Sequence, residues 1–517
     1  MSHTSGSADI ITGTRALSAA GRWTALAVLM LGTLILSIDG TVLFLAIPSL
    51  TRDLSPTAEQ LLWISDIYSL AIAGLMVAMG NLADRVGRKR ILLVGSAVFA
   101  LASLVAAFAP DPNTLIAARA LLGVAGASIM PSTMALIRNI FADERERTRA
   151  VALWATTFGG GSAIGPLIGG ALIENFSWGS VFLINVPVML LIIVVGSFLL
   201  PESRNPNPGR FDIISALLSL ATMTPFIYAI KHSAKHGFDS VTALTLIITV
   251  IAGWLFLRRQ RRIDDPLLDI ELFKNPAFTS AIATNLIAIF SLIGVFMFFS
   301  QYLQFVRGFS PLLAGIAELP GALTQIVAPL IIGVVLSRLG RRYGVVLGTL
   351  TMSLGMGLLA LAENQEGYLW LGVALALVGF GAGIALSLTL DVVLTASPPA
   401  KAGAAAALSE TSIEIGAVLG ISVLGTLLTS LYRSFVEIPA EITGANRAAV
   451  ADSIAQAMPV VEGTAAEPLV AEAFIHAMQL TSVTAMGVGL LLTIIAWRFI
   501  PNGKISSGGE NEKDNAR

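Results

Sequence analysis

Long apolar runs, each broken by a short polar and often basic cluster, recur along almost the whole chain. Fourteen runs can be drawn, at 24–50, 61–80, 91–109, 114–137, 148–172, 179–200, 212–231, 240–257, 277–301, 311–337, 344–362, 369–391, 404–428 and 476–499. A helix rises about 1.5 Å per residue, so roughly 20 apolar residues cross a hydrocarbon core about 30 Å thick. Each run therefore predicts one spanning helix, and together they predict an all-α integral membrane protein with 14 transmembrane helices. The first run, Thr24–Leu50, gives roughly 40 Å of helix and follows a polar segment with few basic charges. It is too long for a signal-peptide core and reads as an uncleaved span.

Most connections are short, which keeps successive helices as antiparallel neighbours. Two are long. The segment 258–275, RRQRRIDDPLLDIELFKN, reads as a charged cytoplasmic linker with a short amphipathic stretch over Leu267–Phe273. The segment 429–475 reads as an outside loop, with helical patterning near Ala445–Ala457 and Pro468–Ile475. It is either a solvated excursion or a hairpin touching the exit path. An even number of spans puts both termini on one side, and the 32 lysines and arginines say which. With the N-terminus inside, 25 fall in cytoplasmic segments and six outside: Arg52, Lys231, Lys235, Arg307, Arg433 and Arg447; Arg119 lies within a span. That asymmetry predicts two cytoplasmic termini in a cytoplasmic (inner) membrane protein, with a disordered tail over 503–517.

Composition agrees: 55% of residues are hydrophobic, only 13% are charged, and the mean hydropathy is +0.80, against roughly 25% charged in soluble domains. With no cysteine, disulfides and thiolate metal sites are excluded. The four histidines are scattered; His232 and His236 stand at i, i+4 but in an expected loop, so no metal site is expected. There is no GxxxxGK[ST] phosphate loop, so no nucleotide or other cofactor is expected and a proton gradient is the natural driver.

The chain repeats itself. GNLADRVGRK at Gly80–Lys89 is echoed by GVVLSRLGRR at Gly333–Arg342, with glycines matched at 80/333 and 87/340 and basic residues at 85/338, 88/341 and 89/342. Gly165–Gly169 is echoed by Gly416–Gly420. Spans one to six and nine to fourteen thus read as related six-helix halves, with two helices inserted between them. Paired repeats around a midplane site are the plan of rocking transporters. The expected organisation is an N-terminal tail 1–23, a first half 24–200, a linker 201–276 carrying the inserted helices, a second half 277–499 that includes loop 429–475, and a tail 500–517.

Candidate chemistry lies in the charges that the spans retain. A charge at the bilayer centre costs at least about 2.5–3.5 kcal/mol and usually serves function. Asp39 interrupts the first run; it either caps a helix break at Gly40 or faces a polar cavity where it binds a proton or cation. Arg119, which cannot be neutralised, must find an acceptor within the bundle or snorkel to the surface. Asp66, near the outer end of the second span, is either interfacial or in the cavity. Glu318, Glu410 and Glu414 complete the set, and Glu410 and Glu414 share one face of the thirteenth helix. Surplus negative charge with scattered aromatics (Phe44, Trp63, Tyr68, Phe158, Phe296, Phe299) suits lipophilic cations, which aromatic faces attract by roughly 0.5–2 kcal/mol each. In the Gly80–Arg90 turn, Asp84 can pair with Arg85, Arg88 or Lys89, as part of a topogenic cluster or of a latch between halves. Gly161, Gly165, Gly169 and Gly170 bare one face of the fifth helix for close packing, which Pro166 can bend.

These motifs carry a resemblance. GNLADRVGRKR resembles the loop signature between the second and third helices of the major facilitator superfamily, and LIAARALLGVAGA (Leu115–Ala127) its fourth-helix arginine motif. GSAIGPLIGGAL, DGTVLFLAIP, SPLLAGIAELP and WISDIYSL are similar to motifs of its fourteen-helix drug/proton antiporter branch. Phe44, Leu122 and Glu318 depart from the usual pattern at their positions. The resemblance implies a major facilitator fold and proton-coupled export of lipophilic cationic drugs, dyes and antiseptics of the quaternary ammonium and biguanide type. It also implies proton coupling at Asp39 tuned by Arg119, with Asp66 beside them. From the charges and aromatics themselves, and not from the resemblance, cation binding is expected at Asp66, Glu410, Glu414, Phe44, Tyr68 and Glu318. A latch at Gly80, Asp84, Arg85, Gly87 and Arg88 completes the picture, in a monomer that meets lipid and binds no nucleic acid. The alternative is proton-coupled export of an endogenous metabolite, amino acid or lipid. A channel, or an intramembrane aspartyl hydrolase, which would need a GxGD motif that is absent, are the more distant rivals; no enzyme activity is expected.

Overall fold

The computed structural model describes residues 17–204, 212–263, 266–365, 367–398 and 402–501; the tail 503–517 lies outside them. Among these residues there is no strand; in a helix the backbone polar groups are satisfied within the segment itself, which is one of the two ways a chain can span lipid. Fourteen long helices follow one another: α1 Ala19–Leu54, α2 Ala58–Val86, α3 Arg88–Ala107, α4 Pro112–Ile140, α5 Glu144–Asn175, α6 Ser180–Leu199, α7 Ile213–His236, α8 Ser240–Gln260, α9 Pro276–Val306, α10 Pro311–Arg338, α11 Gly340–Ala362, α12 Leu369–Thr395, α13 Ala405–Phe435 and α14 Glu467–Phe499. Among the described residues thirteen are long and apolar enough to cross a membrane. The remaining expected span, 148–172, falls within α5, a 32-residue helix some of whose side chains are not described.

Local chemistry sets where helices begin and turn. Ser18, Asp111, Asp143, Asp212 and Asp239 each accept backbone N–H groups at a helix start, and Thr57 and Gln60 close a reciprocal box at the start of α2. The matched glycines Gly87 and Gly340 both hold positive φ, +126° and +80°, where the chain reverses between α2 and α3 and between α10 and α11. Asp239 accepts from the backbone of Thr242 and from His232, which together hold its carboxyl well below the usual range. His232 and His236, expected in a loop, instead lie at the end of α7 with stacked rings, because the helix runs on past its apolar run to His236.

Contacts group the chain into two units. The first comprises Met1–Leu268, Ile293–Leu319 and Ala417–Met478; the second comprises Asp269–Leu292, Pro320–Gly416 and Gln479–Arg517. In the first unit α2 packs on α4, α1 on α5, and α3 on α4 and α6, while α7 and α8 form a hairpin resting on α2. Exposed Val250, Ile251 and Trp254 mark the outer side of α8 as a lipid-facing surface. In the second unit α11 and α12 form the tightest pair, with Gly348 and Gly381 facing each other's backbones.

The segment between α13 and α14 is no featureless excursion. It holds two short helices, Gly444–Asp452 and Ile454–Val461, while Pro468–Ile475 is the start of α14 itself. Asp452 Oδ2 accepts the Ala58 N–H at 2.6 Å, and its Oδ1 pairs with Arg433 at 2.7 Å. Gln456 donates to the Pro56 carbonyl at 2.5 Å, and the Tyr432 hydroxyl to the Val450 carbonyl. The amphipathic stretch expected at Leu267–Phe273 is a short 3-10 turn at Ile270–Lys274.

Candidate functional site in the first unit

Helix α1 runs unbroken through Asp39 and Gly40, so the carboxylate caps nothing. Asp39 is fully buried, and Arg119 of α4 is 1% exposed. Arg119 Nη1 reaches Asp39 Oδ2 at 2.7 Å, and its Nε donates to the Ile64 carbonyl at 3.2 Å. Arg119 therefore does not snorkel. Its guanidinium lies over the Tyr68 ring, 4.7 Å from the centroid, with Phe182 at 6.0 Å. Tyr68 thus packs against the arginine, and its hydroxyl reaches the Leu36 carbonyl. Gly123 lets α4 approach α2 at Tyr68, since a Cβ there would collide with the Tyr68 carbonyl.

The other oxygen of Asp39 accepts from Asn185 Nδ2 of α6 at 3.0 Å, and the same amide nitrogen reaches Ser103 Oγ of α3. Asn185 Oδ1 is buried without a hydrogen-bond partner among the described residues. Sequence reasoning missed Asn185, because an uncharged amide in an apolar run stands out little. The site therefore draws on α1, α2, α3, α4 and α6. An Arg–Asp pair shielded from water is neutral as it stands, and a proton placed on the Asp39 carboxylate would cancel the attraction that holds the guanidinium.

A second buried pair lies on α2. Asp66 is fully buried within the protein, and its Oδ2 meets Lys231 Nζ of α7 at 2.7 Å. Ser422 of α13 donates to the same oxygen at 2.6 Å, from a π turn at Gly420–Leu424 that rotates it toward α2. The Lys231 ammonium sits 3.7 Å from the centroid of the Trp63 ring. This corrects the charge census: Lys231 is no outside loop charge but a buried one, for α7 extends beyond its apolar run. Hydropathy cannot separate a lysine at the edge of a span from one in the loop after it.

The remaining candidates divide between the units. Phe44 is buried in α1, and Glu318 of α10 is 4% exposed with Oε1 lacking a hydrogen-bond partner among the described residues. Glu410 and Glu414 belong to the second unit, half-buried and one turn apart on α13. Beside them Asn285 donates to Ser409 at 2.7 Å and accepts from Thr389. In the Gly80–Arg90 turn, Asp84 pairs with Arg88 at 2.7 Å. Its neighbours Lys89 and Arg90 engage Ser197 and Glu202, just past the sixth helix or at its end, and a Cβ on Gly87 would strike Glu202 at 2.7 Å. Arg85 in that turn is exposed, and Gly80 packs near Pro131.

The glycine face of α5 serves two neighbours. Gly161, Gly165 and Gly169 meet Ser37, Thr41 and Val42 of α1, whereas a Cβ on Gly170 would lie 2.5 Å from the Pro311 carbonyl of α10. Gly315 of α10 returns the contact onto the Pro166 carbonyl, and Pro166 lies inside the continuous helix. Gly416, the counterpart of Gly165, likewise abuts the Leu286 carbonyl of α9.

Residues 29–421 match the family described as Major Facilitator Superfamily. The chain is 46% identical over 438 residues to the multidrug efflux pump LfrA of Mycolicibacterium smegmatis, covering 85% of this chain and 87% of that one. It is 35% identical to the methyl viologen resistance protein SmvA of Salmonella typhimurium, over 92% of this chain and 98% of that one. A bacterial homologue of the human lysosomal transporter Spinster shares the fold, with a TM-score of 0.67 at 17% identity, over 93% of this chain and 97% of that one.

Proposed function

Because the chain belongs to the major facilitator superfamily, we propose that it exports lipophilic cationic drugs from the cell in exchange for protons. The observation that carries this reading is the Asp39–Arg119 pair at 2.7 Å, sealed from solvent and held by Asn185. A fixed buried charge is costly, and a pair that a proton can open offers a use for it. A proton reaching Asp39 neutralises the carboxylate, frees Arg119 to move, and lets the halves rock; its departure on the other side resets the pair. Negative charge and aromatic surface for the cargo are assigned, each unit by itself, to Asp66, Glu318, Phe44 and Tyr68 in the first unit, with Tyr68 available once Arg119 moves, and to Glu410 and Glu414 in the second. Methyl viologen, which names one relative, is an aromatic dication, and two carboxylates one turn apart on α13 suit a cargo with two charges. The turn Gly80–Arg90 acts as the latch. One monocation out for one proton in is electrically silent, so the pH gradient alone drives it. The chain works as a monomer in the cytoplasmic membrane, with both termini inside and no cofactor.

The test is ethidium efflux from energised vesicles, and from proteoliposomes under an imposed pH gradient. Uphill efflux should appear with the gradient and collapse with an uncoupler. Efflux indifferent to the uncoupler, or ionic current without accumulation, would overturn the reading.

A further inference from the structure

The proposed cation export uses Asp66, yet in this structure Asp66 already holds a cation. We infer that Trp63, Asp66 and Ser422 form a cage for a monovalent organic cation, and that the Lys231 ammonium occupies it as a tethered stand-in which the cargo displaces. This deepens the export reading and rests on it.

The cage has the parts such a site needs. Trp63 and Asp66 stand three residues apart on α2 and share one face, so an indole ring and a carboxylate converge on one point. A positive charge between them gains from both the ring face and the carboxylate. Lys231 Nζ lies at that point, 3.7 Å from the ring centroid and 2.7 Å from Asp66 Oδ2. Ser422 donates to the same carboxylate oxygen at 2.6 Å and helps to hold it in place. Asp66 Oδ1, also buried, has no hydrogen-bond partner among the described residues, so this oxygen keeps unused capacity to accept a hydrogen bond. Around the cage Leu70, Ile227 and Val418 are buried, with Ile67 and Met223 packed against them, so its walls are apolar.

The occupant is built to leave. Lysine is a compact charge on a four-carbon arm, whereas an arginine would grip a carboxylate with two parallel hydrogen bonds. Burying either charge alone is strongly unfavourable, so Asp66 gives up Lys231 only in exchange for another positive species. The cage is then never empty and charged, and an incoming cation replaces one already there. Helix α7 belongs to the hairpin between the two repeated halves, and it is pinned to α2 by this pair and by Gly74, which has Leu220 packed on it. Displacement of the lysine would therefore loosen α7 from α2, which makes cargo arrival felt by the inserted hairpin.

The experiment measures tetraphenylphosphonium binding to purified full-length protein in nanodiscs. Removing the competitor with Lys231→Met, which keeps the length of the side chain, should tighten binding about tenfold. Strengthening it with Lys231→Arg should weaken binding several-fold. Adding Asp66→Asn to Lys231→Met should abolish the gain. A pair that only docks α7 predicts that Lys231→Met weakens binding or leaves it unchanged, and either result overturns the inference. If Lys231→Met does not fold, the charge-preserving arginine variant decides, and unchanged affinity there overturns it. Loss of the export reading looks different: wild-type protein would then show neither tetraphenylphosphonium binding nor uphill efflux.

Discussion

Asp39→Asn keeps the shape of the side chain and one acceptor for Arg119, but removes the counter-charge of a guanidinium that is 1% exposed. Two unit charges with centres about 4 Å apart attract by about 4 kcal/mol at an effective dielectric of about 20. Deleting one partner of a buried pair costs about 3–5 kcal/mol, largely because the other charge stays buried. The Ile64 carbonyl still holds Arg119 Nε, which places the expected loss toward the lower end of that range. Asp39→Asn and Arg119→Gln should each destabilise the fold by about 3 kcal/mol. The double variant should be no worse than either, an interaction energy of about 3 kcal/mol. Stability is read from denaturant titration in mixed micelles, and transport from proteoliposomes. All three variants should bind substrate yet lose substrate-induced proton release and uphill transport. Additive losses would show that the two side chains do not share a dry pair. Uphill, proton-linked transport by Asp39→Asn would move the proton site elsewhere, to Asp66 first.

Other expectations follow from the same geometry. Glu410→Gln with Glu414→Gln should impair transport of methyl viologen at least tenfold more than that of a monocation, and equal effects in an efflux assay would make that face structural. Gly170→Val places carbon against the Pro311 backbone carbonyl, 2.5 Å from where its Cβ must lie; a main-chain neighbour cannot rotate away, so uphill transport should fall more than tenfold, and a variant of unaltered activity would refute the close approach. Asp239→Ala removes the cap of α8, worth about 1 kcal/mol, and should speed exchange of the Thr242 amide roughly fivefold. Because the Asp239 carboxyl is held below its usual range, the cap is fully present above about pH 4. It is lost only as the pH falls through the lowered value; wild-type fraying between pH 5 and 7 would contradict this.

The spans were legible because lipid leaves a chain few ways to satisfy its backbone, so apolar length alone marks a helix. Their ends were less so: α1 starts at Ala19 and α14 at Glu467, each well before its apolar run, since a helix continues into water wherever caps and packing support it. That Arg119 needed an acceptor could be read from the cost of an unpaired guanidinium, and the superfamily resemblance suggested Asp39 as its neighbour. Asn185 could not be read, because an amide within an apolar run carries no charge to account for. Lys231 was misplaced for a related reason: its role depends on whether α7 continues for one further turn, and the sequence around it supports either course. The π turn that brings Ser422 to Asp66 has no signature in composition or periodicity.

The hydrogen bond from Ala58 to Asp452 spans 394 positions of sequence and joins the first turn of α2 to the short helices after α13. Together with the Gln456–Pro56 bond it has the form of a clasp. Separating α2 from α13 at that end must break it together with the Gln456–Pro56 bond. A clasp of this kind would add a step to any motion that opens that end, and so would bear on the timing of the cycle. A protein binder that grips the clasp would slow the transport cycle while never entering the path of the cargo.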